Sequence, residues 1–267
     1  MNQTELHRRL REQYGPWAVV TGASDGIGRA FARALAEAGV HLVLVARREV
    51  ALQSLAAELS GLGGEARVIA ADLSSDAGVR RVVEGTADLP VGLLVAAAGF
   101  GTSGNFLAGD LDEELTMIDV NCRAVAALAH HFGRRFEAQN RGGLVLLSSL
   151  LAFQGVPRAA NYAATKAYVQ SLAEGLRVEL GPRGVAVIAS APGPISSGFA
   201  TRARMKMSMA GTASEVADGT LRALGKMGTV RPGFLSKLLE WSLATLPRWG
   251  RTRVLAKVMA GMTRHPT

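Results

Sequence analysis

Tyr162 and Lys166 stand four residues apart in a stretch of helical character, Asn161–Leu180, so their side chains share one helix face a turn apart. A phenol beside an ammonium is a proton donor whose acidity the neighbouring charge can tune, which is what general acid–base chemistry needs. The spacing predicts a Tyr162 hydroxyl lowered toward neutral pH by Lys166. Ser149, thirteen residues before Tyr162, follows the aliphatic run Leu144–Ser148. It therefore falls at the carboxyl end of a strand, where open α/β sheets bind ligands.

A second group lies near the N-terminus. The segment Thr21-Gly22-Ala23-Ser24-Asp25-Gly26-Ile27-Gly28 follows one short apolar run and opens an amphipathic stretch. Glycines there let the backbone approach a pyrophosphate, whose charge the helix N-terminus stabilises. The next strand ends in Val45-Ala46-Arg47-Arg48, with no acid to bind a ribose 2′-hydroxyl. Two guanidinium groups suit a 2′-phosphate instead, which favours NADP over NAD, with Arg47 the primary contact and Arg48 the secondary one. Asp72-Leu73, after the third strand, is placed to meet an adenine ring.

These residues need a scaffold, and the pattern supplies one. Ala18–Val20, His41–Ala46, Arg67–Ala71, Val91–Ala96, Leu144–Ser148 and Val185–Ser190 are short aliphatic runs without strict alternation, as in strands covered on both faces. Helical patterns at Gly28–Ala38, Leu52–Leu59, Asp76–Glu84, Glu113–Gln139 and Asn161–Leu180 lie between them. The alternation predicts an α/β fold, a single-domain Rossmann-type doubly wound parallel sheet with helices on both faces. After Pro192-Gly193 regularity fades through Pro194–Gly228, and two amphipathic helices are expected at Leu235–Leu246 and Val254–Met262.

The bulk properties exclude several alternatives. The 267 residues are 48% hydrophobic and only 5% aromatic, and no apolar run approaches a membrane span or a signal-peptide core. Cys122 is the lone cysteine and is read as a small buried filler; the five scattered histidines show no metal-ligand spacing, and His130-His131 is read as helix surface. The formal charge of +8 is concentrated at the C-terminus, where residues 229–267 hold seven Lys/Arg and one Glu. That distribution argues against nucleic acid as a partner; it leaves open a peripheral membrane contact through the tail or helices packed on the domain.

Taken together, these residues resemble the classical short-chain dehydrogenase/reductase family over about Tyr14 to Phe199. The matching features are the T-G-x-x-x-G-x-G turn at Thr21 to Gly28, Asn121, Ser149, the Y-x-x-x-K pair Tyr162 and Lys166, and Pro192-Gly193. Tyr14 to Ala23 is similar to the 17β-hydroxysteroid dehydrogenase/3-ketoacyl-CoA reductase branch, and Arg47-Arg48 with the C-terminal part to a DltE-like subgroup. The resemblance implies a cytoplasmic, homodimeric or homotetrameric enzyme that uses NADP(H) to interconvert a hydrophobic ketone or aldehyde and its alcohol. It implies that Tyr162 donates a proton, that Lys166 holds the nicotinamide ribose and acidifies Tyr162, that Ser149 binds the substrate oxygen, and that Asn121 fixes a relay water. Ala98, Gly99, Pro192, Gly193, Ile195 and Ser197 would border the cofactor. The expected division is a core at 14–193, a substrate loop at 194–228 and a basic helical extension at 229–267. In that loop Met205, Met207 and Met209 could line an apolar lid, and Arg202, Arg204 and Lys206 could meet an anionic substrate. One departure is Ala96-Ala97-Ala98-Gly99 where the family has N-N-A-G, which puts local rigidity in doubt. The alternatives are a catalytically silent NADP-binding sensor or scaffold and a membrane-surface adaptor.

Overall fold

The computed structural model describes residues 1–196, 198, 203, 211–233 and 246–262. Seven parallel strands form one sheet in the order β3-β2-β1-β4-β5-β6-β7. They are β1 (Trp17–Thr21), β2 (His41–Ala46), β3 (Ala66–Ala70), β4 (Val91–Ala96), β5 (Gly142–Leu147), β6 (Val185–Ser190) and β7 (Thr229–Val230). Every residue of β4 and β5 is buried, which explains their unbroken aliphatic runs.

Helices cover both faces. Leu6, Leu10 and Tyr14 of α1 (Gln3–Tyr14), Phe31 and Leu35 of α2 (Gly26–Glu37), and Leu52, Leu55 and Leu59 of α3 (Glu49–Leu59) pack with Val20, Leu44 and Leu93 on one face. Leu221 of α8 (Ala213–Ala223) completes that layer. The other face is filled by Val79 and Val82 of α4 (Asp76–Glu84), Phe132 and Phe136 of α6 (Ala124–Ala138), and Val169 and Ala173 of α7 (Ala160–Leu180). A third cluster joins Phe100, Met117 and Tyr162 to Leu255 and Met259 of α9 (Arg248–Met262).

Several expectations are revised. The stretch expected as one helix, Glu113–Gln139, is α5 (Leu111–Ile118), a π-helical turn at Asp119–Arg123, and α6. An i→i+5 turn inserts an extra residue into the helix without a compositional mark. The region expected to be irregular contains α8, closed by a reciprocal cap in which Thr212 and Glu215 exchange bonds through backbone and side chain. The helix expected at Val254–Met262 begins six residues earlier, at Arg248, while Leu235–Leu246 lies outside the described residues apart from Leu246. Cys122 is only half-buried, and His131 is partly buried beside Phe132.

Candidate active site

The carboxyl ends of the strands border one large cavity of about 950 Å³. At its β1 end the chain turns sharply at Gly22, whose φ is +68°; a Cβ there would meet the Ala98 backbone at 2.9 Å. Gly28 lies so close to the Gly22 carbonyl that any side chain would collide with it. The Asp25 carboxylate accepts from Gly26 N at 2.7 Å and caps α2. Gly22, Ser24, Asp25, Gly26, Ile27 and Gly28 all face the cavity.

Arg47 and Arg48, at the end of β2, line the same space and are exposed. Arg48 leans on the glycine turn, its Nη2 donating to Ser24 Oγ at 3.3 Å. Arg47 makes no bond to another described residue, so its head is available to an incoming anion. Asp72 and Leu73 line the wall after β3, where the Asp72 carboxylate accepts from the Ser74 amide at 3.0 Å.

The opposite wall holds the titratable set. Tyr162, Lys166 and Ser149 are buried, at 8%, 6% and 8% exposure, and all three face the cavity. The Ser149 and Tyr162 hydroxyls share a hydrogen bond. Lys166 Nζ donates to Leu147 O at 2.8 Å and lies 5.8 Å from the Tyr162 ring centre. Burial pushes the Tyr162 hydroxyl up to about 12, only partly opposed by Ser149, and brings Lys166 down to about 8. The expectation that Lys166 acidifies Tyr162 is therefore not met: loss of water dominates at both groups, and at Tyr162 it is Ser149 that opposes it. The phenol is held protonated at neutral pH.

Asn121 lies on the π-helical turn, fully buried. Its Nδ2 donates to Phe100 O at 2.9 Å and Thr165 Oγ1 at 3.0 Å, and its Oδ1 accepts from Phe100 N at 3.1 Å. It thus ties the end of β4 to α7. Thr21 Oγ1 adds a second tie by accepting from Ala98 N at 3.0 Å. These bonds answer the doubt raised by Ala96-Ala97-Ala98-Gly99. Gly99 faces the cavity, and a Cβ there would meet Asn121 Oδ1 at 2.9 Å. Pro192, Gly193 and Ile195 form the floor beyond β6. Ser197, the three loop methionines and the basic residues Arg202, Arg204 and Lys206 lie outside the described residues.

Sequence patterns missed one organising residue, Glu114. Its carboxylate is buried, with Oε1 accepting from Thr102 Oγ1 at 2.6 Å and Oε2 from Asn161 Nδ2 at 2.7 Å. It fastens the loop after Gly99 to the first turn of α7, next to Tyr162. The signal was an acid at a position where the apolar stripe of α5 turns inward, which one acid among Asp112, Glu113 and Glu114 conceals. Glu114→Gln would present an amide donor to Thr102 or Asn161 and leave one donor unsatisfied, a cost of about 2 kcal/mol. A thermal melt should show Tm lower by about 4–8 °C; an unchanged Tm would mean that the two bonds carry no weight.

The apolar stripe of α9 also has a definite place. Leu255 and Met259 are buried beside Tyr162, and Val254 and Val258 line the cavity. The helix packs on its own domain, so the expected membrane contact finds no support. No helix among the described residues is long and apolar enough to cross a membrane.

A doubly wound parallel sheet with a glycine turn after β1, cationic side chains after β2 and a buried Tyr/Lys/Ser set defines an oxidoreductase of the nicotinamide-dinucleotide class. The short chain dehydrogenase family model matches residues 16–208, and the chain belongs to that family. A 7β-hydroxysteroid dehydrogenase from Clostridium sardiniense is 37% identical over 171 residues, which span 64% of this chain and 66% of that one. A structure from work on 7β-hydroxysteroid dehydrogenase stereoselectivity superposes with a TM-score of 0.85 at 28% identity, covering 92% of this chain and 98% of the other. A short-chain dehydrogenase from Sphingobium yanoikuyae in complex with NADPH gives 0.79 at 30% identity, covering 88% and 94%. The residues present fit a dinucleotide: side chains at Gly22 and Gly28 would clash with the backbone of the turn that must cradle it, and the donors along the wall suit its phosphates.

Proposed function

We propose that the chain is an NADP(H)-dependent reductase of bulky, hydrophobic ketones. The observation that carries this reading is the pairing, on one cavity, of a buried Tyr162–Ser149–Lys166 set with Arg47 and Arg48 at the far side. In this reading the turn from Thr21 to Gly28 holds the pyrophosphate, Arg47 and Arg48 the 2′-phosphate, and Asp72 and Leu73 the adenine. Lys166 holds the nicotinamide ribose, and Ala98, Gly99, Pro192, Gly193, Ile195 and Ser197 border the ring. When bound, the reduced nicotinamide supplies the hydride.

The chain's own residues do the rest. Ser149 Oγ and Tyr162 Oη donate hydrogen bonds to the substrate carbonyl oxygen and stabilise the charge that develops there. Tyr162 then passes its proton to that oxygen. Lys166, close by, balances the phenolate left behind. Asn121 positions Phe100 and Thr165, and a water between Asn121 and Lys166 would return the proton from solvent. The apolar wall of Phe153, Val254 and Val258, whose two valines are exposed, suits a large alicyclic body that would cover it. The similarity to hydroxysteroid dehydrogenases supports a substrate of that size, and the NADPH-bound neighbour supports the cofactor.

We assign residues 14–193 to the cofactor and proton-transfer core, 194–228 to the substrate loop and 229–267 to a helical extension. Exposed Tyr168 and Val178 on α7, with Leu111 and Leu115 on α5, suit a homodimer or homotetramer, a point that light scattering decides. The functional test is NADPH absorbance followed against ketones, 3-oxoacyl thioesters, steroids and quinones. Consumption with a bulky ketone is expected; no consumption with any member would end the reading.

The pH dependence has a definite sign. Lys166, brought down to about 8, is a cation below that pH and neutral above it, while Tyr162, near 12, stays protonated throughout. Reduction should therefore be flat below about pH 8 and fall above it, approaching tenfold per unit. A kcat/KM profile for reduction that climbs between pH 8 and 10 would contradict this assignment.

A further inference from the structure

Three consecutive residues of the loop after Gly99 hold three different segments of the chain. Thr102 Oγ1 donates to the buried Glu114 carboxylate of α5 at 2.6 Å. Ser103 Oγ donates to the Ala203 carbonyl at 2.6 Å, and Ala203, fully buried, packs in the cluster that contains Phe100 and Tyr162. Gly104 N donates to the Arg158 carbonyl at 2.9 Å, four residues before Tyr162.

Two of these bonds lead to the turn that carries Tyr162. Glu114 passes the first one on: its Oε2 and its backbone carbonyl both accept from Asn161 Nδ2, at 2.7 and 3.0 Å. Asn161 precedes Tyr162 in the first turn of α7. The Gly104 bond supports Arg158, whose φ of +65° is a left-handed backbone that a residue with a side chain adopts at a cost. Such a residue persists where its surroundings over-determine it, and this bond is one of the restraints. The remaining bond, from Ser103, leads away from Tyr162 to the substrate loop. A trans peptide keeps neighbouring Cα atoms about 3.8 Å apart, so Thr102 and Ser103 cannot move independently.

We propose that Thr102, Ser103 and Gly104 form a strap that couples the seating of the substrate loop to the position of Tyr162, with Glu114 and Asn161 as positioning residues. This deepens the reductase reading and rests on it. The Ala203 end sets how the substrate loop meets the ketone, and the Asn161 end sets how the phenol meets the carbonyl oxygen. Proton transfer is sensitive to that placement, since an error of about 1 Å can cost about 10² in rate.

The test is hydrogen exchange by mass spectrometry on the NADP-loaded full chain, beside steady-state kinetics with a bulky ketone. Ser103→Ala removes only the bond to Ala203, yet exchange in the peptide spanning residues 158–166 should quicken about threefold or more, and kcat should fall with it. Thr102→Val keeps the shape and removes the donor to Glu114. Exchange in the peptide that contains Ala203 should quicken in turn, because coupling is reciprocal. In the same variant kcat should fall about tenfold and return with Thr102→Ser, which restores the hydroxyl. Ser103→Ala, which leaves no charge unpaired, carries the test if the valine variant fails to fold. Exchange changes confined to the segment each variant touches, a kcat loss that serine does not restore, or a Ser103→Ala effect on KM alone would overturn the strap. Linked exchange in a chain that consumes no NADPH would count against the reductase reading and leave the strap standing.

Discussion

Tyr162→Phe is expected to bind NADPH as the parent does and to reduce ketones about 10³-fold more slowly, a barrier about 4 kcal/mol higher. The ring packs in the cluster of Phe100, Met117, Leu255 and Met259, and phenylalanine fills the same space, so the fold should not change. What is lost is one hydroxyl, the proposed proton source, which shares a hydrogen bond with Ser149. Burial holds that hydroxyl near 12, so it is protonated throughout the neutral range and phenylalanine removes a proton that is present. Fluorescence titration of NADPH beside steady-state kcat separates binding from proton transfer. A variant with both intact would show that the proton comes from elsewhere.

Arg47→Asp should reverse the preference between NADPH and NADH, with a combined swing of about 10² in relative kcat/KM. The parent side chain offers an anion up to two charge-assisted bonds, each worth about 1.5–3 kcal/mol when water is excluded. Arg47 is exposed, so screening reduces that figure and the swing should shrink as salt is added. The aspartate repels a 2′-phosphate and can accept from a free ribose hydroxyl. Arg48, held to Ser24, remains in both proteins and keeps the reversal from being larger. Unchanged relative KM values for the two cofactors would transfer the 2′-phosphate from Arg47 to another group.

How much of this could be read in advance depended on whether the cause was local. The central strands were legible because burial on both faces demands unbroken Val, Leu and Ala runs. α4 was legible to the residue: the pattern at Asp76–Glu84 has the bounds of the helix, which Ser75 caps through Gly78 N. The glycine turn, Ser149, Tyr162 and Lys166 were legible from spacing, and the structure brings them to one cavity. α1 went unread although Leu6, Leu10 and Tyr14 recur every fourth residue; the charged residues between them dominate its composition. β7 is two residues long and carries no pattern of its own. The π-helical turn that aims Asn121 inward has no signature in residue types. The ionisation of Tyr162 was misjudged because the decisive quantity, loss of water, depends on tertiary cover, part of it from a helix nearly a hundred residues further along. The acidification argument used the one neighbour that spacing reveals.

The same distinction explains the tail. Its arginines and aromatic residues read equally well as a membrane face or as a packed helix, because an amphipathic stripe does not say what covers it. In the folded chain the answer is the domain itself: Leu255 and Met259 pack in the same cluster as Tyr162.

The central claim is that this cavity joins NADPH to a ketone, and an isotope settles it directly. NADPH carrying deuterium on the transferable face of its nicotinamide, incubated with the chain and a bulky oxo-steroid, should yield an alcohol bearing a single deuterium on the former carbonyl carbon by mass spectrometry. An alcohol without the label, or no alcohol from any bulky ketone while NADPH remains tightly bound, would contradict the account.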